Sequence, residues 1–319
     1  MNAVLRPMST GEVLDRTFNL YRNHFLLFSG IAMGHALCLL AGILVLIPMG
    51  AMLPLRGLYS LDPITILTTF GVYSLVIILF WVIGYALALG ATVYAVSKVH
   101  LGQPATIRDS YRELRPLVLR TLRIVSSVFL RYVGAVVLTY LVVVVLGMVL
   151  VPIFIRVMGG HPPVLFRWLL AFFFLGLFIL GIVWATRIYC RYSMAVPACL
   201  LEKLPARQAL KRSKWLSKGS LGRIFLIFLL MGLLASGLSY AMQVPAVFLS
   251  EMNAATLAIA WQLGGAFMAM ILASPIGTIA ICLMYYDQRV RKEAFDLQLM
   301  MEALGQPLPV QASTGTPIG

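Results

Sequence analysis

Six separate stretches of this 319-residue chain are long and apolar enough to cross a lipid bilayer as helices. A hydrocarbon core about 30 Å thick needs about 20 predominantly apolar residues at helical rise. Phe25–Leu53, Ile64–Ser97, Tyr132–Ile155, Trp168–Thr186, Leu221–Leu249 and Ala255–Tyr286 meet that need, and several exceed it, so tilt is expected. A membrane barrel requires strands of alternating polarity, which these runs lack. Only 11% of residues are charged, against about 25% in soluble domains. The predicted fold is therefore an all-α membrane protein with six transmembrane helices, a single polytopic domain over residues 1–304. The remainder, 305–319, is rich in Pro, Gly, Ser and Thr and is expected to be disordered.

The excess of 25 basic over 11 acidic residues resembles a nucleic-acid footprint until the charges are placed. The amino-terminal arm, Lys98–Arg131, Arg187–Arg223 and the carboxy-terminal arm hold three, seven, nine and three basic residues. The opposite connections hold only Arg56, Arg156 and Arg167. Basic loops mark the cytoplasmic side. Both termini are thus expected in the cytoplasm, with anionic lipid headgroups as partners and no role for nucleic acid. The amino terminus stays polar too long for a cleavable signal peptide, so the first apolar run is expected to remain a spanning helix.

The cytoplasmic connections carry amphipathic helices of their own. Ser9 to Glu12 has capping-box spacing, and Leu14, Phe18, Tyr21 and Phe25 then share a face. Thr106 to Asp109 is a similar start, with Ile107, Tyr111, Leu114 and Val118 on one face. A third start falls at Pro205, a residue suited to the first helical turn. The starts lie 97 and 99 residues apart, and a pair of spanning helices follows each. That spacing predicts three copies of a unit made of a surface helix and a transmembrane hairpin. Ordinary alternation of helices and loops would give the same order.

Polar residues inside the spans are few. His35 lies about 15 Å deep at helical rise, a functional candidate by depth, or a neutral histidine bonded to a neighbouring helix. Gln243 and Gln262 lie symmetrically about the connection between the last two spans, which predicts an interhelical amide pair. Gly30 and Gly34 form a GxxxG motif for close helix packing, and Pro275 with Gly277 is expected to bend the last span. Cys38, Cys190, Cys199 and Cys282 lie in or beside apolar runs without metal-ligand spacing, as buried small residues would. The sequence offers no catalytic, metal or cofactor motif, and no cofactor is expected.

The last span ends on YYDQRVRKEAFD, residues 285–296. Tyr285 and Tyr286 suit the headgroup level. Asp287, nearest the apolar layer, most needs a partner, and Arg187 and Arg191 end the fourth span on one helical face. The expected pairing joins Asp287 to one of them. Arg289, Arg291 and Lys292 would face phosphates, while Glu293 and Asp296 would engage Lys211–Lys218. The plain alternative is a solvated helix end, where exposed pairs contribute about 0–1 kcal/mol.

Three segments carry a family resemblance. ALKRSKWLSKG, residues 209–219 with Arg212 and Trp215, resembles an A-L-x-R-S-W-x-L-T-x-G signature. RPMSTGEVLDRTFNLYRNHF and YYDQRVRKEAFDLQ resemble the opening and closing segments of the same family, the bacterial glycerophosphoryl diester phosphodiesterase membrane domain. Trp215 stands one place later than in the signature, which moves it to another helical face. The family name describes domains found fused to a phosphodiesterase resembling a TIM barrel. Such a barrel takes about 250 residues, for which the chain has no room. The resemblance implies a bacterial inner-membrane protein and no phosphodiesterase activity. The expected function is a non-enzymatic scaffold or accessory protein that engages anionic lipids or a partner protein. The alternatives are a transporter or flippase of a lipid-like or small amphipathic substrate and, third, an interfacial lipid enzyme.

Overall fold

The computed structural model describes residues 7–52, 62–100, 102–159, 163–252 and 254–293, and these are helical without strands. The helices are α1 (Thr10–Asn23), α2 (Phe25–Met52), α3 (Pro63–His100), α4 (Ile107–Leu114), α5 (Val118–Val157), α6 (Val164–Tyr192), α7 (Ala195–Leu201), α8 (Ala206–Ser217), α9 (Leu221–Glu251) and α10 (Ala255–Glu293). Six of them (α2, α3, α5, α6, α9 and α10) are long and apolar enough to cross a membrane. The expected disordered tail, Arg56 and Asp296 lie outside the described residues.

Several helix boundaries differ from the sequence reading. Helix α5 begins at Val118, not Tyr132, and α6 runs to Tyr192, beyond Thr186. Arg120, Arg123, Arg131 and Arg187 are exposed on these extensions. Charge limits how deep a helix sits in lipid, not how far the helix continues. The short buried helix α7 was not foreseen. Its residues Ala195–Leu200 are all buried, and so apolar a stretch reads as part of the preceding span.

Consecutive long helices pair as antiparallel hairpins. Cys38 meets Gly84 and Gly42 meets Phe80 between α2 and α3. Thr139 meets Gly181, and the rings of Phe154 and Phe166 lie 5.0 Å apart, between α5 and α6. Met242 meets Trp261 and Gly265 between α9 and α10.

The hairpins then join in a ring. The second helix of each packs on the first of the next: α3 on α5, α6 on α9, and α10 back on α2. Each short helix packs chiefly on the hairpin that precedes it in this ring. Thus α4 lies on α3 and α2, α8 on α6 with the adjoining α7, and α1 on α10.

All three expected helix starts are helix starts in the structure. The Ser9 hydroxyl accepts the Glu12 amide and the Glu12 carboxylate accepts the Ser9 amide, a complete capping box. The Thr106 hydroxyl accepts the Asp109 amide, and Pro205 occupies the N-cap of α8. The buried faces also correspond. Val13, Ser110 and Ala209, each four residues after its start, and Thr17, Leu114 and Ser213, each eight after, are at most 1% exposed. The face expected for α1 holds in part: Leu14 and Tyr21 pack against the core beside the fully buried Val13 and Thr17, whereas Phe18 and Phe25 are 40% and 41% exposed. Such rings suit contact with lipid.

The GxxxG glycines serve α4, not another spanning helix. A Cβ at Gly30 would collide with the Ile107 side chain, and one at Gly34 with the Tyr111 hydroxyl. That hydroxyl donates to the Ile31 carbonyl at 2.8 Å. Pro275 sits inside α10, and in the turn before it the Leu272 carbonyl accepts a 2.9 Å bond from the Tyr21 hydroxyl.

Burial is lopsided along the bundle. The residues of α10 from Pro275 to Gln288 are nearly all buried, as are Val13, Leu114 and Leu216 of the short helices. The far halves of α5 and α6 expose apolar side chains on every side, including Met148, Trp168 and Phe172. We call the packed end, where Arg120, Arg187 and Lys211 are exposed, the basic end.

Candidate functional site

Beyond Tyr286 the apolar run of α10 stops, and its charges enter a network at the centre of the basic end. Asp287 is fully buried. Its Oδ1 accepts the Met8 amide at 2.7 Å, and its Oδ2 accepts Arg223 Nη1 at 2.7 Å and Arg291 Nε at 3.0 Å. Both guanidiniums also donate to the Met8 carbonyl, Arg291 at 2.6 Å. Two arginines and one carboxylate therefore grip both polar groups of one backbone residue. A buried charge is tolerated only when paired and fully hydrogen-bonded, and Asp287 meets that condition.

The expected pairing of Asp287 with Arg187 or Arg191 is corrected. Arg223, in the first turn of α9, is its interhelical partner. Helix α9 is the hairpin partner of α10, so its first turn lies level with the end of α10, whereas Arg187 projects from an exposed face of α6. Arg191 contributes its backbone: its carbonyl accepts the Ser213 hydroxyl at 2.9 Å and the Ser217 hydroxyl at 3.2 Å. These bonds seat α8 on the end of α6.

A second group of charges lies beside the first. Arg212 Nε donates to both oxygens of Glu202, at 3.2 and 3.0 Å, and its Nη2 pairs with Glu293. Arg289 donates to Glu293 at 3.1 Å, and the Tyr285 hydroxyl donates to Glu202 at 2.6 Å. Arg212 and Lys292 both lie against Trp215, with their charged ends 5.1 and 5.2 Å from its ring centroid. Lys292 also donates to the Trp215 and Lys218 carbonyls at 2.8 and 2.7 Å, capping the end of α8. Arg289 is thus turned into the protein, and Arg291, although exposed, commits its guanidinium to Asp287 and Met8, a correction to the expectation that they face phosphates. Tyr285 is corrected too: it is fully buried with its hydroxyl on Glu202, whereas Tyr286 is 7% exposed and stacks on His100.

Two further expectations change within the spans. Gln243 and Gln262 lie level, but no side-chain pair joins them. Gln243 Nε2 donates to the Gln262 carbonyl at 3.3 Å, and the Trp261 indole donates to the Met242 carbonyl at 2.9 Å. Gly265 lets the helices approach closely enough for side chains to reach backbone. His35 is 3% exposed, edge-on to Trp81 and Tyr85 at 6.0 and 5.9 Å, and neither ring nitrogen has a hydrogen-bond partner. Aromatic packing holds it in place of the expected bond to a neighbouring helix.

Arg223, Glu202 and Met8 escaped the sequence reading. Two of them carried a signal. Arg223 is the one formal charge within the six apolar runs, and Glu202 is the only acid between Arg187 and Arg223. Met8 acts through its backbone, which leaves no mark on residue type.

The model of a family described as a domain of unknown function (DUF8558) matches residues 62–314. No curated protein and no solved structure matches the chain.

Proposed function

The chain belongs to the DUF8558 family, whose function is unknown, and we propose that it is a non-enzymatic scaffold or accessory protein of the bacterial inner membrane. Both termini and the basic end face the cytoplasm in this reading, and that end engages anionic lipid headgroups or a partner protein. The observation that carries it is how the charges are divided. Asp287, Glu202 and Glu293 are taken up by Arg223, Arg291, Arg212 and Arg289, while Arg120, Arg123, Arg187, Arg207, Lys211 and Lys214 stay exposed. Each basic residue near an anionic leaflet contributes about 1 kcal/mol of attraction. The same division supports a non-enzymatic role, because a carboxylate clamped by guanidiniums is poorly placed to exchange protons with a substrate.

The finer architecture in this reading is a cyclic repeat of three units, each a short helix and a hairpin. The corresponding interfaces α3/α5, α6/α9 and α10/α2 support it, as do the matching buried positions of α1, α4 and α8. The resemblance to the glycerophosphoryl diester phosphodiesterase membrane domain is part of the same reading. The three segments that carry it are those that meet around Asp287 and Glu202.

Thermal unfolding in mild detergent tests the lipid interaction. Phosphatidylglycerol is expected to raise the melting temperature more than phosphatidylcholine does. The triple variant Arg207→Glu, Lys211→Glu, Lys214→Glu is expected to lose that difference. Equal shifts by the two lipids on the unaltered protein would refute the reading.

A further inference from the structure

Two interfaces between hairpins are not filled. A cavity of about 400 Å3 lies where α3, α5 and α6 meet, lined by Trp81, Leu89, Val128, Phe129, Tyr132 and Tyr192 among others. A second, of about 440 Å3, lies where α6, α9 and α10 meet, lined by Phe228, Met231, Gly232, Met270 and Gly277 among others. Both volumes fall in the range of small-molecule sites, roughly 300–1,000 Å3. Tyr85, Tyr189 and Ile281 line both cavities. One residue from each hairpin's second helix thus forms a wall between them.

The linings specify what can enter. Neither includes a charged side chain; their polar side-chain groups are the hydroxyls of Tyr, Thr and Ser and the indole of Trp81. A hydrated ion or a polar solute would find no compensation there for its lost water. Both cavities lie between spanning helices whose neighbouring surfaces expose apolar side chains, including Val183 and Trp184 of α6 and Leu229 of α9. At the rim of the first, Arg131 is exposed, with its guanidinium carbon 5.0 Å from the centroid of the Tyr192 ring. A fixed cation beside an apolar slot complements a phosphate attached to a hydrocarbon chain.

We propose that the two clefts are acyl-chain sites for membrane phospholipid, and that the first selects an anionic headgroup through Arg131. Tyr85, Tyr189 and Ile281 separate the chains. The proposal does not rest on the scaffold reading, since the exposed basic residues discussed there line neither cleft.

The test uses the full chain in mild detergent with phosphatidylglycerol bearing a photoreactive group on one acyl chain, followed by peptide mapping of the adducts. Labelling of Val128, Tyr132 and Gly232 is expected to exceed that of the outward-facing Phe172 and Phe178 by about tenfold, the ratio that one decade in affinity gives. Val128→Phe is designed to fill the first cleft and Gly232→Leu the second, where a Cβ meets nothing within 4 Å. Each variant is expected to lose label in its own cleft and keep it in the other, so each reports on its own folding. Arg131→Gln is expected to abolish the preference of the first cleft for phosphatidylglycerol over the equivalent phosphatidylcholine probe. Uniform labelling of cleft and outer surface would overturn the proposal, as would filled variants that label unchanged. An unaltered headgroup preference in Arg131→Gln would overturn the part assigned to Arg131.

Discussion

Asp287 shows what a single residue contributes at the basic end. Removing one partner from a buried ion pair costs about 3–5 kcal/mol, because the other charge is left uncompensated. Asp287→Ala strands Arg223 and Arg291 together and leaves the Met8 amide without its acceptor. Thermal unfolding in detergent is expected to show a far larger loss for Asp287→Ala than for Asp296→Ala, and Arg223→Ala should approach the former. Equal, small effects would mean that the network contributes nothing measurable. A second residue-scale expectation follows from Gln243, which donates to the backbone of Gln262 and not to its side chain. Gln262→Leu should leave that bond intact, so the double variant with Gln243→Leu should show the sum of the single effects. A pronounced departure from additivity would restore the amide pair.

At the scale of elements, much was legible. Apolar run length located all six long helices, and capping chemistry located the starts of α1 and α4, because both signals are local. Partner choice was not legible. Asp287 had several candidate arginines in sequence, and only the hairpin geometry of α9 and α10 brings Arg223 level with it. The inward face of α1 was legible only in part, through Leu14 and Tyr21. Phe18 and Phe25 are apolar but outward, since in a membrane protein hydrophobicity does not distinguish protein from lipid as a neighbour. The glycines of α2 illustrate the same limit: their motif signals close approach without naming what approaches. Gly34→Leu is expected to displace Tyr111 and undock α4, lowering the melting temperature, whereas Gly222→Leu, where a Cβ meets nothing within 4 Å, should not. Ser9→Ala removes half of the capping box and should cost about 1 kcal/mol.

For the whole molecule, the proposed orientation makes an independent prediction. Reporter fusions after Gly57, Gly160 and Asn253, outside the described residues, should register outside the cytoplasm. Fusions after Gln103, Gly219 and Gly305 should register within it; Gly305 too lies outside the described residues. A cytoplasmic signal at Gly160 would break the six-span topology. The proposed repeat rests, in sequence, on a spacing of helix starts. The packing of α10 against α2 was not legible, since no local pattern reveals it.

That closure has a consequence for biogenesis. Met8 is bound by Asp287 and Arg291, 279 and 283 residues away along the chain. Helix α1 leaves the ribosome long before α10, so its seat does not exist until α10 has been made. Helix α1 can therefore dock only after α10, and a nascent chain that stops short of Asp287 leaves it without a seat. Protection of α1 from proteolysis during synthesis would then mark the moment at which the ring is complete.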